Sequence, residues 1–206
     1  MLALSLLATL AFAPEPTCLI PVHATAPTSI ATDSLRAIYE RGQPFPEFLA
    51  SAERRKEMWE ANYKAGEAVD ATMVSRARAV GGTWHILVVA IDSCSDSVST
   101  IPYLARLVEQ VDGLEMRIVL PSAGKSVQEA HRTPDGRAAT PTVVLLNPEW
   151  EVAGCFVERP VALREWLEAH TGESKMDWYA KDLGRTTVAQ FVDLLEKAGH
   201  GEMRCE

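Results

Sequence analysis

The stretch Asp92-Ser93-Cys94-Ser95-Asp96-Ser97 sets a thiol among hydroxyls and carboxylates, between an apolar run, Trp84–Ile91, and a helical pattern that begins at Ser97. A cysteine at a helix start faces backbone N–H groups without intrahelical partners and the positive end of the dipole. Both favour the thiolate, the nucleophilic form. Ser97 can donate a hydrogen bond to the sulfur. Asp92 and Asp96 work the other way, because nearby carboxylates disfavour a second negative charge. The turn itself holds no Lys or Arg. The chemistry available is that of a modestly activated thiol; the plain alternative is a cysteine that packs as a small hydrophobe.

The other candidate ligands and nucleophiles are scattered. Cys155 falls in a predicted strand, where packing is its expected role, and Cys18 and Cys205 lie near the chain ends. An exported chain leaves Cys18–Cys205 and Cys94–Cys155 bridges open, and spacing does not choose between them. His23, His85, His131, His170 and His200 show no metal-ligand spacing with each other or with the cysteines, so no metal site and no cofactor is expected. His85, on an apolar strand, reads as a hydrogen-bonded core residue. The sequence has no Walker A, G-x-G-x-x-G, G-x-S-x-G or H-E-x-x-H pattern.

Composition narrows the class. The 206 residues are 47% hydrophobic and 23% charged, enough apolar material for one core and too short for two full domains. No apolar run approaches the roughly 20 residues of a membrane-spanning helix. Twenty Lys and Arg against 28 Asp and Glu give a net charge of -8, which argues against binding to nucleic acid. Four cysteines are too few for a disulfide scaffold.

The opening run, Met1 to Ala13, has the length of a signal-peptide h-region, although no Lys or Arg precedes it, and Val22-His23-Ala24 offers a small-residue cleavage site. Residues 1–24 are read as an export signal or a disordered N-terminus and 25–32 as a linker. Residues 33–206 form the folded unit. Export would place the protein in the periplasm or outside the cell; the alternative is the cytoplasm.

Within the folded unit, a short helix is expected from about Thr32 to Arg41, capped by Thr32, Asp33 or Ser34. A longer one follows over 47–66, with Phe48, Ala52, Trp59 and Tyr63 on one face, and another over 68–80. Trp84–Ile91 reads as a strand buried on both faces. A helix over 97–111, a strand over 114–120, a short helix over 123–131 and a strand over 141–146 come next. Asn147-Pro148-Glu149 turns into a fourth strand, 151–156. Helices over 160–170 and 187–198 follow, the second with Thr187 and Gln190 in a capping-box pattern. The order β-α-β-α-β-β-α implies a parallel pair with a right-handed crossover, then an antiparallel hairpin.

That order, with Cys94 after the first strand, Pro102 eight residues on and Thr140-Pro141 opening the third strand, resembles the thioredoxin-like superfamily. The hairpin 147–156 and the Arg159-Pro160 pair resemble the branch whose active turn reads Trp-Cys-Gly-Asp. The resemblance implies an α/β thioredoxin-like fold with a mixed central sheet. It sets a helical extension over 33–82, a core over 83–171, and a C-terminal helix and tail over 172–206. It also implies a cis-proline at Pro141 beside Cys94, with Thr140 and Pro141 as the substrate-binding edge, and Cys94 and Ser97 as the catalytic pair. The sequence departs from the branch where Ser93, Ser95 and Ser97 stand for its Trp, Gly and second Cys. Ser97 cannot resolve a mixed disulfide. The expected function is therefore monothiol exchange with protein or small-molecule thiols and disulfides, resolved by an external thiol. Arg132 and Arg137 are candidates for receiving an acidic group such as a glutathione carboxylate. The rival function is a non-catalytic module that holds an extended peptide against Thr140-Pro141.

Overall fold

The computed structural model describes residues 30–205. The signal-peptide reading of 1–24, its cleavage site and Cys18 lie outside the described residues.

Among those residues, four α-helices precede the first strand: α1 (Thr32–Glu40), α2 (Phe45–Ser51), α3 (Lys56–Ala65) and α4 (Ala71–Val80). Then come β1 (Trp84–Val89), α5 (Ser95–Glu109), β2 (Leu114–Val119), α6 (Pro121–Ala130), β3 (Thr142–Leu146) and β4 (Val152–Val157). The chain ends with α7 (Val161–Ala169), α8 (Lys175–Asp182), α9 (Arg185–Gly199) and the two-residue strand β5 (Arg204–Cys205). The strands form one mixed sheet in the order β2-β1-β3-β4-β5. β1 runs parallel to β2 and antiparallel to β3, β3 runs antiparallel to β4, and β5 lies parallel to β4.

The apolar pattern explains the layering. Ile86, Val88 and Ala90 enter one buried cluster with α3, α5 and α9, while Leu87 and Val89 enter a second with α1 and α6. A strand covered on both faces has no polar face to show, hence the unbroken run at β1. β2, at the sheet edge, alternates instead. Leu114, Met116 and Ile118 are buried, whereas Glu115 is exposed and Arg117 half-exposed. The register also sets up the site. Val119, Val89, Thr142 and Val157 lie in one row across β2, β1, β3 and β4. The segments that leave or enter the sheet at that row, 90–94, 139–141 and 158–160, therefore meet at one edge.

The structure departs from sequence expectation in several places. The helix expected over 47–66 is two helices, α2 and α3, parted at Ala52–Arg55, where Arg55 takes the left-handed conformation (φ 55°). The break exists because the Asp92 carboxylate accepts the backbone amides of Glu53 (2.9 Å) and Arg54 (2.8 Å), groups that a continuous helix would use internally. α4 begins later than expected, with Asp70 accepting from the Thr72 amide as its cap. α1 has no side-chain cap: its first residue follows Ala31, not Thr32, Asp33 or Ser34. Thr187 and Gln190 form no capping box, because α9 starts earlier, after Gly184. The Gln190 side-chain carbonyl instead accepts from the Val161 amide (2.9 Å) and so serves the start of α7. The single C-terminal helix expected after residue 172 is two, α8 and α9, followed by β5.

Candidate active site

Cys94 is the N-cap of α5. Its thiol donates to the Thr140 carbonyl (Sγ–O 3.1 Å), and its sulfur accepts from the Ser97 amide at 3.5 Å, the longer and weaker of the two contacts. The Thr140–Pro141 peptide bond is cis. The structure thus brings Cys94, Ser97 and Thr140 together at the sheet edge, with Pro141 joined to Thr140. Cys94 is half-buried and, among the described residues, is the free thiol. The Ser97 hydroxyl is buried and has no hydrogen-bond partner.

The turn before α5 is held from outside by the α2–α3 segment. Besides the Asp92 carboxylate contacts, the Trp59 indole donates to the Asp92 carbonyl (3.0 Å) and the Arg55 guanidinium to the Ser93 carbonyl (2.8 Å). Trp59 is fully buried, so the cross-link is fixed by core packing. Burial alone would raise the Asp92 carboxyl. The amides of Arg54, Glu53 and Ser93 outweigh it and hold the group below the usual carboxylate range.

Asp96, two residues past Cys94, is buried. Its carboxylate receives the Lys175 ammonium (2.6 Å), the Tyr179 hydroxyl (2.9 Å) and, more distantly, the Arg159 guanidinium (3.4 Å). Arg159 also bonds Glu158 at 2.6 Å, and Glu158 in turn pairs with Arg137 at 3.1 and 3.2 Å. Burial, then the Asp96 charge, push the Tyr179 phenol well above its ordinary range, so it remains a donor to Asp96. For Glu158, burial acts upward but Arg137 and Arg159 prevail, and its carboxyl lies below the ordinary range. Glu158 also sits in the left-handed region (φ 67°) with its amide on the Pro141 carbonyl (2.7 Å), so the end of β4 is tied to the cis-proline.

Sequence reasoning gave Asp96 a purely repulsive role and found no cation in the turn. Tertiary structure supplies three around it and its neighbours: Arg55 on the Ser93 carbonyl, and Lys175 and Arg159 on Asp96. Lys175 and Tyr179 were missed altogether. Ser174 before Lys175, whose hydroxyl accepts from the Met176 amide, was the available signal for α8. Arg137, a candidate for an acidic ligand, is occupied by Glu158 and Asp135, and Arg132 donates to the Gly136 carbonyl. His85 is not hydrogen-bonded as expected. Its ring stacks on Trp150 (4.1 Å between centroids), and Nδ1 lies 3.8 Å from Glu115, too far for a hydrogen bond. Burial lowers its tendency to protonate. Cys155 is bonded to Cys205, so neither Cys94–Cys155 nor Cys18–Cys205 is the bridge present. No helix among the described residues is long and apolar enough to cross a membrane.

A crystal structure of a protein of unknown function from Pseudomonas aeruginosa is similar, with TM-score 0.66 and 17% identity over 78% of this chain and 96% of that one. A crystallised HIV epitope-scaffold is similar at TM-score 0.64 and 18% identity, over 78% of this chain and 96% of its own. At such identities the likeness concerns the fold. No curated protein matches the sequence. A sequence model of the family described as thioredoxin matches residues 42–175, more than half of the chain and nearly all of the site just described. The chain belongs to the thioredoxin family.

Proposed function

We propose that this protein carries out thiol–disulfide exchange as a monothiol through Cys94. The observation that carries the reading is the Cys94 sulfur at the start of α5, 3.1 Å from the carbonyl beside the cis Thr140–Pro141 bond. The Cys94 thiolate attacks one sulfur of a disulfide, forming a mixed disulfide and expelling the other sulfur as a thiolate. An external thiol, of which glutathione is a small example, then attacks the mixed disulfide and frees Cys94. Ser97 assists by its amide at the sulfur, and Thr140-Pro141 offers backbone to an extended substrate. The active turn is read as a variant of the Trp-Cys-Gly-Asp branch, with residues 33–82 as a buttress and 83–171 as the working core. Export is the matching location, supported by the Cys155–Cys205 bridge, since disulfides persist in oxidising compartments.

A specific observation favours a second reading. The Ser97 hydroxyl, where a dithiol site would hold its resolving thiol, is buried without a partner, which suits a site kept as a non-catalytic peptide cradle. The rate of Cys94 alkylation against pH decides between them, together with trapping of a mixed disulfide. Rapid alkylation at neutral pH and a trapped adduct lost in Cys94→Ser are expected. A thiol that stays unreactive up to about pH 9, above the reference value for free cysteine, would replace exchange with binding.

A further inference from the structure

Away from Cys94, the far edge of the sheet gathers a second set of soft ligands. Cys155 on β4 stands opposite Cys205 on β5, with Cα atoms 4.3 Å apart. His131, the residue after α6, completes a group in which one ring nitrogen and both sulfurs lie within 4.8 Å of one another. The His131 Nδ1 is buried without a hydrogen-bond partner, so no carboxylate or carbonyl holds that nitrogen. A neutral imidazole offers a metal the lone pair of one ring nitrogen.

We propose that the reduced form of this triad is a site for a thiophilic cation such as Zn2+, with Cys155, Cys205 and His131 as ligands. A tetrahedral zinc centre, with Zn–S about 2.3 Å and Zn–N about 2.0 Å, sets its ligand atoms roughly 3.5–3.8 Å apart. Once the S–S bond opens, the two sulfurs can part and the ring nitrogen, already within 4.8 Å of both, can close in towards that spacing. Access exists as well. Cys155 is buried, but Cys205 is exposed and forms part of the wall of a groove of about 780 Å³, together with Arg132, Pro134, Val157 and Gln190. A dithiol reductant entering there takes the bridge to two thiols and is itself oxidised to a disulfide. Zn2+ then binds both sulfurs as thiolates, and the two protons leave to solvent. With three protein ligands, the fourth position of a tetrahedral centre is open to water. Bridge and cation therefore exclude each other, and either one fastens β5 to β4.

The test uses the full chain carrying Cys18→Ser and Cys94→Ser, so that no other thiol competes. It is reduced anaerobically with a phosphine and titrated with Zn2+ against a chromophoric chelator, and separately with Co2+. One equivalent of Zn2+ bound by the reduced protein and none by the oxidised protein is expected, with a sulfur-to-cobalt charge-transfer band appearing only on reduction. His131→Ala and Cys205→Ser should each weaken binding about tenfold or more, the loss of one ligand of three. Reduced protein that binds no Zn2+, equal binding by the oxidised protein, or binding indifferent to His131→Ala would each overturn the site. The comparison of oxidised with reduced protein requires no ligand variant to fold.

Discussion

The Asn62 side-chain amide donates to the Val98 carbonyl at 2.7 Å, and Val98 stands four residues before Pro102 in α5. In an unbroken helix that carbonyl accepts from the amide of the fourth residue on, but proline has none. Val98 is fully buried, so the orphaned oxygen has no access to water. Asn62, on α3, supplies the missing donor, and its own side-chain carbonyl accepts from the Tyr103 hydroxyl (3.2 Å). The helix that carries Cys94 is in this way completed by the extension that precedes the sheet.

Asn62→Leu should therefore destabilise the protein by about 1–3 kcal/mol, the cost of a buried carbonyl left unpaired. Adding Pro102→Ala restores a backbone donor and should recover most of that loss. Urea unfolding of the two single variants and the double variant measures the coupling. Additive effects would show that Asn62 does not complete the helix.

Asp92 links pH to stability. Its carboxyl lies below the usual range in the folded protein, so it binds a proton less readily folded than unfolded. The stability it contributes is present above the unfolded value of about 3.9 and is lost as pH falls through the lower folded value. Asp92→Asn should flatten the acid side of the stability profile and lower neutral stability by about 1 kcal/mol, a figure kept small because the group is partly exposed. Thermal melts across the acid range check this. An unchanged acid limb would place the lost protons on other carboxylates.

The Asp96 cluster should separate stability from reactivity. Asp96→Ala leaves Arg159 and Lys175 without their shared counter-charge and should cost about 3 kcal/mol. Lys175→Met should cost less, since Lys175 is partly exposed, but it leaves the Asp96 charge less compensated beside Cys94. Cys94 alkylation at neutral pH should then slow about three- to tenfold. Equal rates in wild type and Lys175→Met would mean that Asp96 does not act on the sulfur.

Ser97→Cys tests the missing second thiol. The Ser97 amide already lies 3.5 Å from the Cys94 sulfur, and the Ser97 hydroxyl is buried without a partner. Wild type should reduce a protein disulfide slowly unless a small thiol is added. Ser97→Cys should do so without one, and its introduced thiol should form a disulfide with Cys94. Insulin reduction with and without glutathione reads the difference. Efficient reduction by wild type without added thiol would require another resolving cysteine, and Cys155 is not free to serve while bonded to Cys205.

The order of strands along the chain through β4 and the place of Cys94 after β1 were legible in the sequence, and the cis bond at Thr140–Pro141 is what the family resemblance implied. The first two rest on short-range pattern, the unbroken apolar run at β1 and proline and glycine punctuation, whereas the offsets between Cys94, Pro102 and Pro141 carry the resemblance. What only the tertiary structure decided depends on partners far apart in the chain. Asp92, 38 and 39 residues beyond the two amides it accepts, takes groups that would have made 47–66 one helix. α8, with the polar sequence KMDWYAKD, shows little apolar periodicity and carries the Lys175 and Tyr179 groups that meet Asp96, 79 and 83 residues away. Gln190 meets the criteria for a capping box locally, yet the Val161 amide takes its side-chain carbonyl. The pairing of Cys155 with Cys205 follows from β5 joining the edge of the sheet beside β4, an alignment that no local spacing encodes. Local pattern states what each segment can form; side-chain hydrogen-bonding groups that serve two segments at once are assigned only when the chain has closed on itself.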